Sequence, residues 1–183
     1  MSSWGASTVD ESKPKYLTDA EKRDCYATDR GWTIPAGGNP NGEREVIAAI
    51  GGLSGATKLA AGTISSVNYS TTSFSKAAGG TISITVNYNE AVDVTGTPQV
   101  LLTNDTPARN LTLDYASGTG TNRLTFTTDP AIAANNAATN ADDVLTIGVN
   151  ALSLNSGTIK DKGTNTVSVI THAAGSDTLT VSA

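Results

Sequence analysis

The only histidine of this 183-residue chain, His172, is the first candidate for chemistry. A serine nucleophile would need this imidazole as its base and a carboxylate to orient it, and the stretch THAAGSDT supplies Ser176 and Asp177. On one short turn, however, three neighbouring side chains cannot adopt the geometry of a triad. We therefore expect His172 to be a solvent-exposed loop residue.

Two further side chains could be reactive. The single cysteine, Cys25, excludes an internal disulfide, and it lies late in a predicted helix rather than at the helix start or the basic site that would activate a thiolate. We expect it to pack in a core or an interface. Glu90 could be half of a glycosidase carboxylate pair, but no partner at the required spacing is identifiable. The sequence therefore predicts a protein that is not an enzyme.

A set of acids could bind calcium, which prefers carboxylate and carbonyl oxygens. These acids are Glu90, Asp93, Asp142, Asp143 and Asp161. Because no Asp-x-Asp-x-Asn/Asp-Gly loop occurs, we expect solvated turn acids and no cofactor, with calcium as the one alternative. Arg109 and Arg123 are expected at the surface.

Composition and charge exclude several classes of protein. Only 16% of the residues are charged, and the net charge of −5 argues against a nucleic-acid-binding surface. No apolar run approaches the length of a membrane span. The N-terminal MSSWGASTVDES lacks the basic start and apolar stretch of a secretory signal. We therefore expect a chain that starts at its own Met and is made in the cytoplasm, without membrane or nucleic-acid partners.

Residues 1–60 are richer in charge than the rest and are predicted to form an N-terminal α+β segment. An extended arm is followed by Thr18-Asp-Ala-Glu21, which matches a capping box, and by a helix over residues 19–28 that Gly31 ends. The runs GWTI and REVIAAI then flank a Pro/Gly/Asn-rich loop. This arrangement favours a hairpin, although REVIAAI could equally form a helix of two turns.

Aromatic residues are concentrated in this segment, which is poor in large apolar side chains. They are Trp4, Tyr16, Tyr26 and Trp32, and we predict them as interface residues, since aromatic side chains dominate binding hot spots. Tyr26 and Trp32 could equally form a small core of their own. For Trp4 the interface is favoured, because a tryptophan in a polar arm has little to pack on.

Residues 61–183 contain short runs of alternating apolar residues separated by turns. Examples are Ile82-Ile84-Val86-Tyr88, Leu111-Leu113-Tyr115 and Leu145-Ile147-Val149. Seven or more such runs without helical periods predict a two-sheet antiparallel sandwich. Glu90 interrupts the first run on its apolar side. Because an unpaired buried carboxylate would be costly, we expect the strand to end or bulge at 89–91 and to carry Glu90 to the exposed rim.

Three stretches resemble an immunoglobulin-like repeat of large bacterial surface and adhesin proteins. They are GGTISITVNYNEAVDVTGTPQVLLT, LDYASGTGTNRLTFT and DVLTIGVNALSLNSGTIKDKGTNTV, and the resemblance covers roughly residues 74–170. It implies a mainly β chain whose residues 61–183 form an Ig-like antiparallel β-sandwich. It also implies a spacer or adhesive module.

The N-terminal segment resembles small structural proteins of tailed phages, particularly of marine bacteria, in SSWG, DAEKRDCYATDRGW and EREVIAAIGGL. Together the two resemblances imply a virion protein that decorates the capsid exterior. Residues 1–60 would anchor it on the major capsid protein, and the Ig-like module would project outward. We expect a symmetric homo-oligomer, with a trimer as one candidate. The alternative function is an adhesion module that binds a host-surface glycan.

Overall fold

The computed structural model describes residues 13–39, 42–56, 58–175 and 177–183. Trp4 and most of the predicted arm therefore lie outside the described residues, as does Ser176. The described chain is mainly β, as predicted, with one α-helix, α1 (Asp19–Asp24). Its strands are β1 (Tyr26–Thr28), β2 (Gly31–Pro35), β3 (Arg44–Ala49), β4 (Ile64–Tyr69), β5 (Phe74–Ser75), β6 (Ser83–Thr95), β7 (Gln99–Asn104), β8 (Leu111–Ser117), β9 (Thr121–Thr127), β10 (Val144–Ser153), β11 (Thr158–Asp161) and β12 (Thr178–Ser182).

The strands form one connected path in the order β3-β2-β1-β6-β9-β8-β7-β10-β12-β5, with β4 and β11 also paired to β6. Strands β7, β9 and β12 bury mainly alternate residues, as expected for strands with one face on a core. Every strand from β4 to β12 contributes to one common core. Because these strands all bury a face against the same core, their path must fold back on itself. The arrangement is consistent with a β-sandwich.

The alternating apolar runs of the sequence supply this core. Its fully buried members include Ile82, Ile84, Val86, Leu113, Leu124, Phe126, Leu145 and Ile147. Each such side chain contributes on the order of 1.5–3 kcal/mol through removal from water. Tyr115 packs edge-on against Phe126 with ring centroids 5.8 Å apart. The core thus follows from the period-two pattern of the sequence.

Residues 17–59 form a second, smaller core beside the first. Its buried members are Leu17, Cys25, Ala27, Trp32, Ile50 and Leu53. Strands β1, β2 and β3 are antiparallel neighbours, so GWTI and REVIAA form the predicted hairpin and the helical alternative for REVIAAI is wrong. The N-terminal segment therefore has apolar packing of its own.

Helix α1 begins as predicted but ends early. The Thr18 side chain accepts the Glu21 backbone N–H, and the Glu21 carboxylate accepts the Thr18 N–H, which completes the capping box. The expected extension to residue 28 is wrong, because Cys25 is already extended and β1 follows it. Gly31 does not end the helix but begins β2 at a φ of 127°, where a Cβ would collide with the Ala48 carbonyl.

Strand β6 is the central strand and joins the two cores. It pairs with β4 through Ile84–Tyr88 and with β11 through Val92–Thr95. Its pairing with β9 shifts register between Asn87, which lies opposite Arg123, and Val92, which lies opposite Thr121. The chain therefore advances five residues along β6 but only two along β9 over this interval. At this irregularity β1 pairs in parallel with β6, with Ala27 opposite Glu90.

The prediction for Glu90 is wrong in its outcome. The ladder is indeed irregular at 89–91, but β6 continues to Thr95, and Glu90 is only 1% exposed. The carboxylate does not reach the rim because β1 of the N-terminal segment covers this part of β6. Glu90 is thus a buried residue of the junction between the two cores.

Candidate docking surface and polar sites

Tyr16 lies on the edge of the N-terminal sheet. Its side chain is 64% exposed, and its hydroxyl donates a 3.1 Å hydrogen bond to the carbonyl oxygen of Ile47 in β3. Strand β3 ends the strand path and, within the described chain, pairs only with β2. Val46 of the same strand is 40% exposed. We call Tyr16 and β3 the edge surface; it combines an exposed aromatic side chain with an unextended sheet edge.

Trp32 and Tyr26 lie in different surroundings. Trp32 is buried in the small core, which was one of the two alternatives for it. Tyr26 is half-buried, with the Arg44 guanidinium 3.7 Å from its ring centroid. Arg44 is fixed there because it donates to the Thr33 hydroxyl at 2.9 Å and to the carbonyl oxygens of Thr33 and Asp24 at 2.7 Å each. Four aromatic residues were predicted to lie at an interface. Trp4 lies outside the described residues, and of the other three only Tyr16 has a largely exposed side chain.

Arg123 connects the sandwich to the N-terminal segment. Its Nη2 donates to the Asp24 carboxylate at 3.2 Å, and its Nε donates to the Asn87 side-chain oxygen at 3.2 Å. The side chain remains about half exposed, as the surface prediction requires. Asp24 therefore holds two guanidinium groups, Arg44 through its backbone carbonyl and Arg123 through its carboxylate.

The predicted acids are not gathered into one site. Asp93 and Asp142 are exposed, whereas Glu90, Asp143 and Asp161 are buried, so the expectation of solvated turn acids is wrong for these three. The Asp161 carboxylate accepts the Thr164 backbone N–H at 2.6 Å and closes a turn. Across the described ranges, no three His, Cys, Asp or Glu side chains form a group that could hold a metal ion.

Asp143 is instead the centre of a hydrogen-bonded cluster at one end of the sandwich. Arg109 binds both carboxylate oxygens, and the Asn104 side-chain amide and the Asn140 backbone N–H also donate, at 2.9 and 2.7 Å. The Arg109 hydrogen bond is the main reason that the pKa of Asp143 lies far below its usual value, although burial opposes the shift. A bidentate guanidinium therefore occupies the carboxylate.

The sequence did not reveal this cluster. Arg109 was expected at the surface, but its side chain is only 27% exposed. It lies 34 residues from Asp143, and β7 and β10, which flank the two residues, become neighbours only in the folded sheet. The one feature of the sequence that could have indicated the Asp143 cluster is Arg109 itself, an isolated arginine in a chain with few charges.

His172 is half-buried and bonded to backbone on both sides, unlike the exposed loop residue expected. Its Nε2 accepts the Ala151 N–H at 3.0 Å, and its Nδ1 contacts the Ala173 carbonyl oxygen. A ring that accepts at Nε2 and donates at Nδ1 is the neutral Nδ1–H tautomer. Asp177 is exposed, and Ser176 of the considered triad lies outside the described residues. His172 thus ties its loop to the irregular part of β10.

Cys25 is buried in the small core near Lys13. Burial raises the pKa of the Cys25 thiol to about 11, and the nearby Lys13 and Arg44 only partly oppose this shift. Burial also lowers the pKa of Lys13 to about 8. The Lys13 Nζ donates to the Lys22 carbonyl oxygen at 2.8 Å and to the Ser65 hydroxyl at 3.3 Å. Cys25 is therefore a packed thiol, in agreement with the expectation of core packing.

No helix in the described part of the chain has the length and apolar character needed to cross a membrane. Comparison of the chain with protein-family models, curated proteins and solved structures gives no match.

Proposed function

We propose that this chain is a non-enzymatic virion structural protein that decorates the exterior of a phage capsid. In this proposal the N-terminal segment docks on the major capsid protein, and residues 61–183 project outward as an Ig-like module. The protein is expected to act as a symmetric homo-oligomer. The proposal joins the two resemblances in the sequence to the organisation of the fold.

The order of strands supports the Ig-like assignment. An immunoglobulin sandwich has strands A, B, E and D in one sheet and C, F and G in the other. Here β4, β6, β9 and β8 are successive neighbours, as are β7, β10 and β12. If these seven strands are lettered A to G in the order in which they occur along the chain, the first row of neighbours is A-B-E-D and the second is C-F-G.

The edge surface is the observation that carries the docking proposal. Tyr16 is exposed although aromatic, and its hydroxyl is bonded to β3, whose outer edge pairs with no further strand in the described chain. Exposed sheet edges pair readily with other chains. Proteins therefore usually cover such an edge or place charged side chains on it, which discourage the pairing. A strand of the shell protein would cover this edge and bury Tyr16.

Co-sedimentation of the full chain with empty shells of the parent phage tests the proposal. Tyr16→Ser and Val46→Ser alter the edge surface, and Val149→Ser is a matched control, since Val149 is an exposed valine of β10. We expect wild type and Val149→Ser to bind alike, and Tyr16→Ser to bind at least about tenfold more weakly. Absence of wild-type binding would show the proposal to be wrong. Loss of binding only in Val149→Ser would place the attachment on the sandwich instead.

A further inference from the structure

A cavity of about 360 Å³ lies where the N-terminal segment meets β9. We call it the junction cleft; its lining includes Asp24, Tyr26 and Arg44 from the N-terminal segment and Thr121, Asn122 and Arg123 from β9. Its volume is within the range of small-ligand sites in proteins. The cleft exists only because the two cores are joined at β6, so both parts of the chain contribute to it.

Two guanidinium groups line the cleft in fixed positions. Arg44 is held against the Tyr26 ring by three acceptors, and Arg123 is held by Asp24 and Asn87. Since Asp24 binds both arginines, the two groups are oriented by one residue before any ligand arrives. Such preorganisation lowers the entropy cost of binding.

The cleft retains donors for a ligand. Arg44 and Arg123 use Nε and Nη2 for their protein partners, and within the described chain neither Nη1 donates a hydrogen bond. The Tyr26 hydroxyl likewise has no partner among the described residues. With Asp24 as its one carboxylate against two guanidinium groups, the cleft has a net positive charge. A planar anion that can accept from guanidinium forks, namely a carboxylate, fits this arrangement.

We propose that the junction cleft binds a carboxylated monosaccharide unit, such as a uronic or sialic acid. The carboxylate lies between the Arg44 and Arg123 Nη1 groups, and the Tyr26 hydroxyl contacts a sugar hydroxyl. The cleft is concave and monosaccharide-sized, which favours a sugar over the acidic side chain of a protein partner. Of the edge surface, the cleft includes only Arg44, the first residue of β3, and it includes neither Tyr16 nor Val46. Sugar binding is therefore tested with variants other than those that test docking to a shell.

The test uses amide chemical shifts of the ¹⁵N-labelled full chain during titration with sodium glucuronate at constant ionic strength. Glucose is the neutral matched probe, and a short glutamate-rich peptide is the protein-like source of carboxylate. We expect glucuronate to shift the resonances of Tyr26, Thr121, Asn122 and Arg123 in a saturable manner, and neither glucose nor the peptide to do so. No saturable shift, or equal shifts with glucose, would overturn the proposal. Binding of the peptide without glucuronate would overturn the saccharide assignment.

Variants locate the site. Arg123→Gln removes one guanidinium, and we expect glucuronate affinity to fall by about tenfold or more. Arg30→Gln is the control, since Arg30 is exposed and does not line the cleft. Because Arg123→Gln also breaks the Asp24 contact, Tyr26→Phe provides a second variant that keeps the ring under Arg44. We expect it to weaken binding by about threefold or more through the lost hydroxyl. Unchanged affinity in both variants would show that the sugar binds elsewhere.

Discussion

Ala27 of β1 lies opposite Glu90 of β6, and this parallel pair is the one strand pairing between the N-terminal segment and the sandwich in the described residues. It occurs where β6 departs from the register of β9. A local irregularity of one sheet therefore provides the attachment for another. Since both residues are buried, the size of the side chain at position 27 decides how closely the two parts approach.

Ala27→Leu should loosen this attachment. The added methyl groups have no space at a position that is 3% exposed, and overpacking of this kind costs about 1–3 kcal/mol. We expect the variant to have a lower midpoint of thermal unfolding than wild type. We also expect the substitution to accelerate hydrogen exchange of the amides in β1 and β2 more than that of the amides in β9. Ala36→Leu, at an exposed position, should change neither. Equal stability of Ala27→Leu and wild type would show that the junction is not closely packed.

The sequence predicted what depends on neighbours in the chain. Alternation at Ile82–Tyr88 predicted the first half of β6, and the Thr18–Glu21 pair predicted the start of α1. Both patterns are local, since a strand face and a helix cap are defined by residues two to four positions apart.

The sequence could not predict what depends on distant pairing. Burial of Glu90 depends on β1, more than sixty residues away, and burial of Asp143 depends on Arg109. In both cases a carboxylate that was expected at the surface is covered by a segment whose position is fixed only by tertiary structure. The interface role of Tyr16 stays a prediction, and the pattern of REVIAAI favours a hairpin but also allows a helix.

Trp32→Ala should destabilise the N-terminal segment. Trp32 is 1% exposed in the small core, and truncation of a buried tryptophan costs about 3–5 kcal/mol. Trp32→Phe should cost clearly less, because it keeps an aromatic ring and removes an indole N–H that is buried without an acceptor in the described chain. Urea unfolding followed through hydrogen exchange in β2 and β3 measures both. A similar loss in the two variants would mean that the indole N–H has a partner.

Asp143→Asn should reduce stability in a pH-dependent manner. Arg109, above all, holds the pKa of Asp143 in the folded state below its ordinary value of about 3.9. A lowered folded-state pKa gives stability that is present above about pH 4 and is lost as the pH falls from there towards the folded pKa. We expect the variant to be about 2 kcal/mol less stable near neutral pH, with a difference that narrows below about pH 4. Urea unfolding between about pH 2.5 and 7 measures this.

Asp142→Asn is the matched control for this prediction. Asp142 is the adjacent residue, is exposed and has a φ of 67°, a conformation that asparagine also tolerates. Its stability should parallel that of wild type at every pH. A pH-independent loss in Asp143→Asn would mean that its hydrogen bonds matter but its charge does not.

Lys13 and Cys25 should give the protein a stability maximum in mildly alkaline solution. The pKa of Lys13 is lowered by burial to about 8, so above this pH the unfolded state binds more protons and stability rises. The pKa of Cys25 is raised by burial from 9.0 to about 11, so above pH 9 the folded state binds more protons and stability falls. The two effects oppose each other from about pH 9 to 10.5. Stability should therefore rise mainly between about pH 8 and 9, by at most about 1.4 kcal/mol per pH unit for one proton.

Single variants separate the two groups. Lys13→Met should remove the rise between about pH 8 and 9, whereas Cys25→Ala should keep the rise and extend it beyond pH 9, because the opposing thiol is absent. Lys15→Met is the control, since Lys15 is exposed and should leave the profile unchanged. Burial also raises the pKa values of Tyr69 and Tyr88, so all four proteins should lose stability above about pH 10. Urea unfolding from pH 7 to 11 measures these profiles, and a rise that persists in Lys13→Met would show that another group titrates there.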